Sequence, residues 1–277
     1  MSSLMHRGRA TYAFFERNWN LTKRYWGWEL VWLVYNVINA LSVTLISKNT
    51  AVLGHMSKEQ IDAFTLYLVI GTAVWSYLSV TFEGVTDMIT IERWEGTIEH
   101  TFMAPISRFT HLIGSCWYAV AHGMLFTLVQ LLIVGSFFNL DLSHANFLTA
   151  IYMLLIGSVS FIGFGIGAAV LPLLYTERGS QMSYIVRAVL LLVSGVYYST
   201  DVLPAWMRPL ANISPATYVL NGLRAALLRN QTIWSAEIWS YTWPLIITGV
   251  VSVPLGVYIF QLAERYAKRT GRLKRNG

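Results

Sequence analysis

The stretch Asp87-Met-Ile-Thr-Ile-Glu-Arg-Trp-Glu-Gly-Thr-Ile-Glu-His-Thr-Phe-Met-Ala-Pro-Ile-Ser-Arg-Phe-Thr-His-Leu-Ile-Gly-Ser115 is a polar island between two long apolar segments. It carries Glu92, Glu95 and Glu99 and ends at a Pro-Ile-Ser-Arg turn, Pro105 to Arg108. Lipid gives such an island no reason to be ordered. On a membrane protein it is usually a docking surface.

The surrounding composition puts the chain in a membrane. Of 277 residues, 55% are hydrophobic and only 12% charged, where a soluble domain carries roughly 25% charged residues. The 11 Trp and 15 Tyr cluster at the ends of apolar runs, as in interfacial aromatic belts. The net charge of +6 reads as basic cytoplasmic ends, with no nucleic-acid partner expected. A single cysteine, Cys116, excludes an intramolecular disulfide. The charged, aromatic leader does not read as a cleavable signal peptide.

A helix needs about 20 apolar residues to cross the hydrocarbon. Six runs qualify: 28–47, 61–82, 112–138, 147–171, 182–198 and 243–263. The expected fold is therefore all-α and integral to the membrane, one permease domain over 1–277. Six spans put both termini on one side. That side holds Arg7, Arg9, Arg17, Lys23, Arg24, Arg93, Arg108, Arg178, Arg265, Lys268, Arg269, Arg272, Lys274 and Arg275. The other side holds only Lys48, Lys58, Arg208, Arg224 and Arg229. The asymmetry predicts cytoplasmic termini and a cytoplasmic island.

Within the leader, Tyr12, Phe15, Trp19 and Trp26 recur at helical spacing, with Arg9, Glu16, Asn20 and Lys23 on another face. This predicts an interfacial helix over 9–27. In the long loop 199–242, Asp201-Val-Leu-Pro204 and Ser214-Pro215 read as helix starts. Tyr218, Leu220, Leu223 and Leu227 keep the period. A re-entrant helical hairpin over 199–229 is expected, facing outside.

The chain has no Gly-x-x-x-x-Gly-Lys-Ser/Thr motif, so it is not expected to hydrolyse ATP. Gly163, Gly165 and Gly167 lie in a membrane-length helix and read as close packing. His100, His111 and His122 show no metal-ligand pattern. No catalytic, cofactor or metal residues are expected. The Asn20-Leu-Thr22 and Asn212-Ile-Ser214 sequons carry no argument. Arg187 is read as snorkelling to the near surface, and Glu29 and Asp62 as span ends. In the island, Ile91, Trp94, Ile98 and Phe102 recur every three or four residues beside the glutamates. That predicts one amphipathic helix over 90–105, closed by Pro105. Pattern alone does not choose between a docking helix and a surface helix under the bilayer.

Residues 91–108 resemble the signature of type-2 ATP-binding-cassette (ABC) transporter permeases, Glu-x-Gly-Thr-Leu-Glu followed by a small-Pro-Val/Ile-Ser-Arg turn. Glu95, Gly96, Thr97, Glu99, Pro105, Ser107 and Arg108 fit. Ile98 takes the Leu position, and Trp94 replaces a commoner charged residue. Residues 193–218 are similar to the family's exit from the fifth span and its outer hairpin. Gly195, Leu203, Pro204, Pro209 and Pro215 match there, and Arg224 beyond them.

The resemblance implies a coupling helix over 90–105 seated in a separate ATPase, through Glu92, Trp94, Glu95, Gly96, Thr97, Glu99, Pro105 and Arg108. It implies two ATPase subunits and a second permease copy, ATP and Mg held by the partner, and a place in the inner membrane. The compact form looks most like the drug and natural-product export branch. The cargo would be an amphipathic small molecule, a lipid or a lipid-linked glycan. Tyr67, Trp75, Tyr77, Tyr184, Tyr197 and Tyr198 are candidates to line its path. The alternatives are a secondary transporter, or an intramembrane enzyme or assembly factor. For these the sequence shows neither inverted repeats nor an acid, base or metal cluster.

Overall fold

The computed structural model describes residues 3–53, 57–138, 145–175 and 178–273. Lys274 and Arg275, weighed above, lie outside the described residues, as do the side chains of Arg7 and Lys48. The described residues form helices and connecting turns, with no strand. The helices are α1 (Ser3–Arg24), α2 (Trp26–Leu53), α3 (Lys58–Trp94), α4 (Ile98–Met103), α5 (Arg108–Phe138), α6 (Phe147–Ala168), α7 (Val170–Leu174), α8 (Gly179–Val193), α9 (Arg208–Ile213), α10 (Pro215–Leu228) and α11 (Ala236–Arg269).

Five of these segments are long and apolar enough to cross a membrane: α2, α3, α5, α6 with α7, and α11. The expected span 182–198 is helical over a different and shorter stretch. Its helix, α8, has 15 residues and stops at Val193. Gly195, at φ +71°, turns the chain there, a conformation that costs a residue with a Cβ about 1–2 kcal/mol. Two helices exceed their expected length the most. α3 has 37 residues, about 55 Å at 1.5 Å per residue, so it reaches well beyond the hydrocarbon on its island side. α11 runs 34 residues despite Pro244 and Pro254.

The leader helix is shifted from the expected 9–27. It starts at Ser3, ends at Arg24, and the chain turns at Tyr25 before α2. Trp26 therefore belongs to α2 and does not continue the aromatic face of Tyr12, Phe15 and Trp19. α1 packs on α5, where Gly114 lets Phe14 and the Thr11 carbonyl close in. The expected helix start at Asp201 is a single 3-10 turn, Thr200–Val202, and the α-helix begins at Arg208 with Pro209. The start at Ser214-Pro215 stands as read, with Pro215 opening α10.

α10 sits inside the bundle. Ala216, Val219, Leu220, Leu223, Ala225 and Ala226 are buried against α3, α6 and α11. The main seam joins α6 and α11. A Cβ on Gly163 would lie 2.2 Å from the Ser252 hydroxyl and 2.6 Å from the Ser252 backbone carbon. Ser160 donates to the Leu245 carbonyl at 2.7 Å and Ser252 to the Ser160 carbonyl at 3.2 Å. Small residues here let two backbones approach. Gly165 has the same role against Phe82, while Gly167 meets nothing within 4 Å.

The contrast is testable. Gly163→Ala should cost about 1–3 kcal/mol by overpacking and lower the thermal midpoint in detergent. Gly167→Ala should leave that midpoint unchanged or raise it slightly.

Candidate functional site

The island does not form one helix over 90–105, which corrects the periodicity reading. α3 continues through Trp94, and Gly96 at φ +72° breaks it. The break is closed by two bonds, Gly96 N–H to the Arg93 carbonyl at 3.1 Å and Thr97 N–H to the Glu92 carbonyl at 2.9 Å. This pairing around a left-handed glycine is a common helix ending. It gives the Glu-Gly-Thr wording a local cause. α4 follows and ends at Ala104, held extended before Pro105, as the residue before a proline must be.

The break redistributes the expected faces. Ile98 and Phe102 turn inward against Val85, Ile89, Leu112 and Phe260. Trp94 turns outward, 63% exposed, together with Glu95, Glu99, His100, Met103 and Pro105. Glu92 is not on this rim. It is buried at 1% exposure, where its Oε1 accepts from Arg17 Nη2 at 2.6 Å and lies 3.1 Å from His111 Nε2. The Phe14 ring lies tilted to that of His111, 4.8 Å away, and carries Arg17 above it. Glu92 therefore ties α1 and α5 to the end of α3. Removing one partner of a buried ion pair costs about 3–5 kcal/mol, so it is a structural knot.

Two arginines fasten the rest. Arg93 is buried and donates to the Leu173 carbonyl, and to the Arg272 carbonyl at 2.6 Å. It joins α3 to α7 and to the turn after α11. Arg108 donates to the Thr101 carbonyl at 2.9 Å and to the Phe102 carbonyl. Its Nε reaches Glu264 of α11 at 2.9 Å, and its guanidinium lies 4.4 Å from the Phe102 ring centre. Lys268 also pairs with Glu264, at 2.8 Å. Ser107 caps α5 by accepting from the Thr110 N–H at 3.1 Å. The Pro-Ile-Ser-Arg turn thus ends α4, starts α5 and anchors both to α11.

At the other end of the bundle, Arg224 is buried on α10. It donates to the Gly195 and Val196 carbonyls at 3.0 and 2.8 Å and sits 3.5 Å from the centre of the Tyr67 ring. The orientation count treated it as a loop charge. It falls four residues after Leu220 on the buried stripe of α10, and that position was the signal for an inward side chain. Arg187 pairs with Glu83 on α3 and lies over Tyr184.

The six aromatic path candidates do not converge. Trp75 and Tyr77 are core residues, with the Tyr77 hydroxyl bonded to Ser158. Tyr67 lies under Arg224. Tyr197 is half-buried against the core, Tyr198 bonds the Leu192 carbonyl, and Tyr184 is exposed. Among the described residues no three His, Cys, Asp or Glu could hold a metal ion. His111 pairs with Glu92, and His122 with Glu29 at 3.1 Å.

The sequence model of the family described as ABC-2 type transporter matches residues 9–228. The chain belongs to the ABC-2 type transporter family. It is a multi-pass membrane protein and a transmembrane subunit of an ABC transporter, a component that is not itself catalytic. ABC-2 permeases normally work with ABC ATPase subunits. The match begins in α1 and ends with α10, so it takes in both the fastened island and the Arg224 clamp. No curated protein matches the chain.

Two variants probe the ABC-2 island. Gly96→Ala should cost about 1–2 kcal/mol through its positive φ, since a Cβ there meets open space. Arg108→Ala leaves the Thr101 carbonyl without its guanidinium donor and the Phe102 carbonyl with only Lys268 at 3.5 Å, at about 1–3 kcal/mol for an unpaired buried carbonyl. Hydrogen exchange should quicken over 98–107 while α6 and α10 keep their protection.

Proposed function

We propose that this chain is the permease half of an exporter and that the exposed cap of the island receives an ATPase subunit. The carrying observation is the two-sidedness of α4. Its inner side is bolted by Ile98, Phe102 and Arg108. Its outer side presents Glu99 and Met103, the latter 84% exposed, with Trp94 and Glu95 exposed at the end of α3 before it and Pro105 exposed after it. An apolar anchor ringed by acids suits a groove with a basic rim. In this reading Trp94, Glu95, Glu99 and Pro105 make contact. Gly96, Thr97 and Arg108 shape the element, and Glu92 holds it to α1.

The working unit is two copies of this chain with two ATPases, which hold ATP and Mg. Closure of the ATPases shifts the spans between two states by differential affinity. Both termini and the island lie on the cytoplasmic side of the inner membrane, as the basic residues favour. α8 and the turn 194–199 complete a sixth crossing, and α9 with α10 re-enter the outer leaflet. Backbone off the helix at that depth needs internal partners, and Arg224 supplies them to Gly195 and Val196. The cargo is an amphipathic small molecule, a lipid or a lipid-linked glycan, of the kind handled by the drug and natural-product branch. Tyr184, the most exposed of the candidate aromatics, faces its route.

The test is charge reversal. The double variant Glu95→Lys, Glu99→Lys should insert normally but lose co-purification with its ATPase and stimulation of ATP hydrolysis. Retention of both by the double variant would sink the docking assignment. Gradient-driven transport by the purified chain alone would remove the ATP-driven reading.

A further inference from the structure

α1 and α5 enclose a groove of about 360 Å³ lined by Tyr12, Phe15, Glu16, Trp19, Ala121 and Leu125. The Tyr12 and Phe15 rings lie nearly parallel, 6.3 Å apart at 17°. Glu16 is the one carboxylate on α1 and is exposed. The Lys23 ammonium lies 5.8 Å from the Trp19 ring at the same helix face. Arg17, the neighbouring cation, is committed to the buried Glu92. Beyond the groove, Leu125, Leu128 and Leu132 form an exposed stripe along α5.

Each part of this surface asks for a different part of one ligand. A carboxylate among aromatic faces suits an organic ammonium group. A lysine beside it suits a phosphate. The leucine stripe runs into the hydrocarbon and suits an acyl chain. We propose that the groove seats a phospholipid with an amine-bearing headgroup, of the phosphatidylethanolamine type. Its ammonium sits at Glu16 between the rings, its phosphate at Lys23 and one chain along Leu125–Leu132. The competing occupant is an anionic phospholipid drawn by Arg9, Lys23 and Arg24. The groove is lined by none of the island's exposed residues, so the proposal does not rest on the ATPase reading.

Full-length protein would be delipidated in detergent and given equal amounts of dioleoyl phosphatidylethanolamine and phosphatidylglycerol. Native mass spectrometry then counts the retained lipids. The wild type should retain phosphatidylethanolamine in preference. Glu16→Gln and Tyr12→Ala should each lower that retention roughly two- to fivefold, the size of one cation–π or charge contact at a half-exposed site. Glu16→Lys should turn the preference to phosphatidylglycerol. Gly167→Ala, in α6 where a Cβ meets nothing within 4 Å, should leave the retention unchanged, and a thermal midpoint for each variant separates lost binding from lost folding. Equal or greater retention of phosphatidylglycerol by the wild type overturns the proposal. So does unchanged phosphatidylethanolamine retention in folded Glu16→Gln.

Discussion

A six-residue helix cannot hold itself together in water. Helical bonding becomes self-sustaining only at about 12–15 residues, and α4 has half that. Its existence therefore depends on outside groups. Arg108 accepts that task by donating to its last carbonyls while paired with Glu264, and Ile98 and Phe102 bury its inner face. The same arginine starts α5 and meets α11. The island keeps its shape because one guanidinium serves three helices.

The pattern repeats at two more places where the backbone leaves a regular helix. Arg93 answers the carbonyls of Leu173 and Arg272, and Arg224 those of Gly195 and Val196. A guanidinium offers five donors in a fixed fork and stays charged, so one side chain can satisfy two carbonyls at once. In a membrane protein this removes the need for water at a broken helix end. The island-side knot of Glu92, Arg17 and His111 is a different device, because it joins elements through side chains alone.

The all-helical class, the presence of the long apolar helices and the close packing at Gly163 were legible because each rests on composition or on spacing along one helix. The interruption of 90–105 was written at Gly96, but the apolar period continued across it and carried the reading past the break. The period also put Trp94 with Ile98, whereas the turn at Gly96 separates them, leaving Trp94 exposed and Ile98 buried. Glu92, Arg93 and Arg224 looked like solvated charges because their partners lie far away in sequence, at Arg17, Leu173 and Gly195. Such pairing depends on tertiary proximity, and only the place of Arg224 on the buried stripe of α10 marked it locally. The length of α8 was hidden by the apolar residues Val193–Tyr198, which continue the hydropathy after Gly195 has turned the backbone.

α3 links the two regions with one unbroken shaft. Near one end Tyr67 and Gly71 lie against Arg224 and the Val196 carbonyl, close enough that a Cβ on Gly71 would stand 2.3 Å from that oxygen. At the other end Glu92, Arg93 and Trp94 lead into the island. A helix of about 55 Å with no proline inside it is stiff in torsion. Any angle imposed on it at Trp94 arrives at Tyr67 within the same rigid body. The fit at Gly71 leaves no slack to absorb that angle, so the turn at Gly195 and its arginine clamp act as a bearing that must either yield or rotate with the shaft.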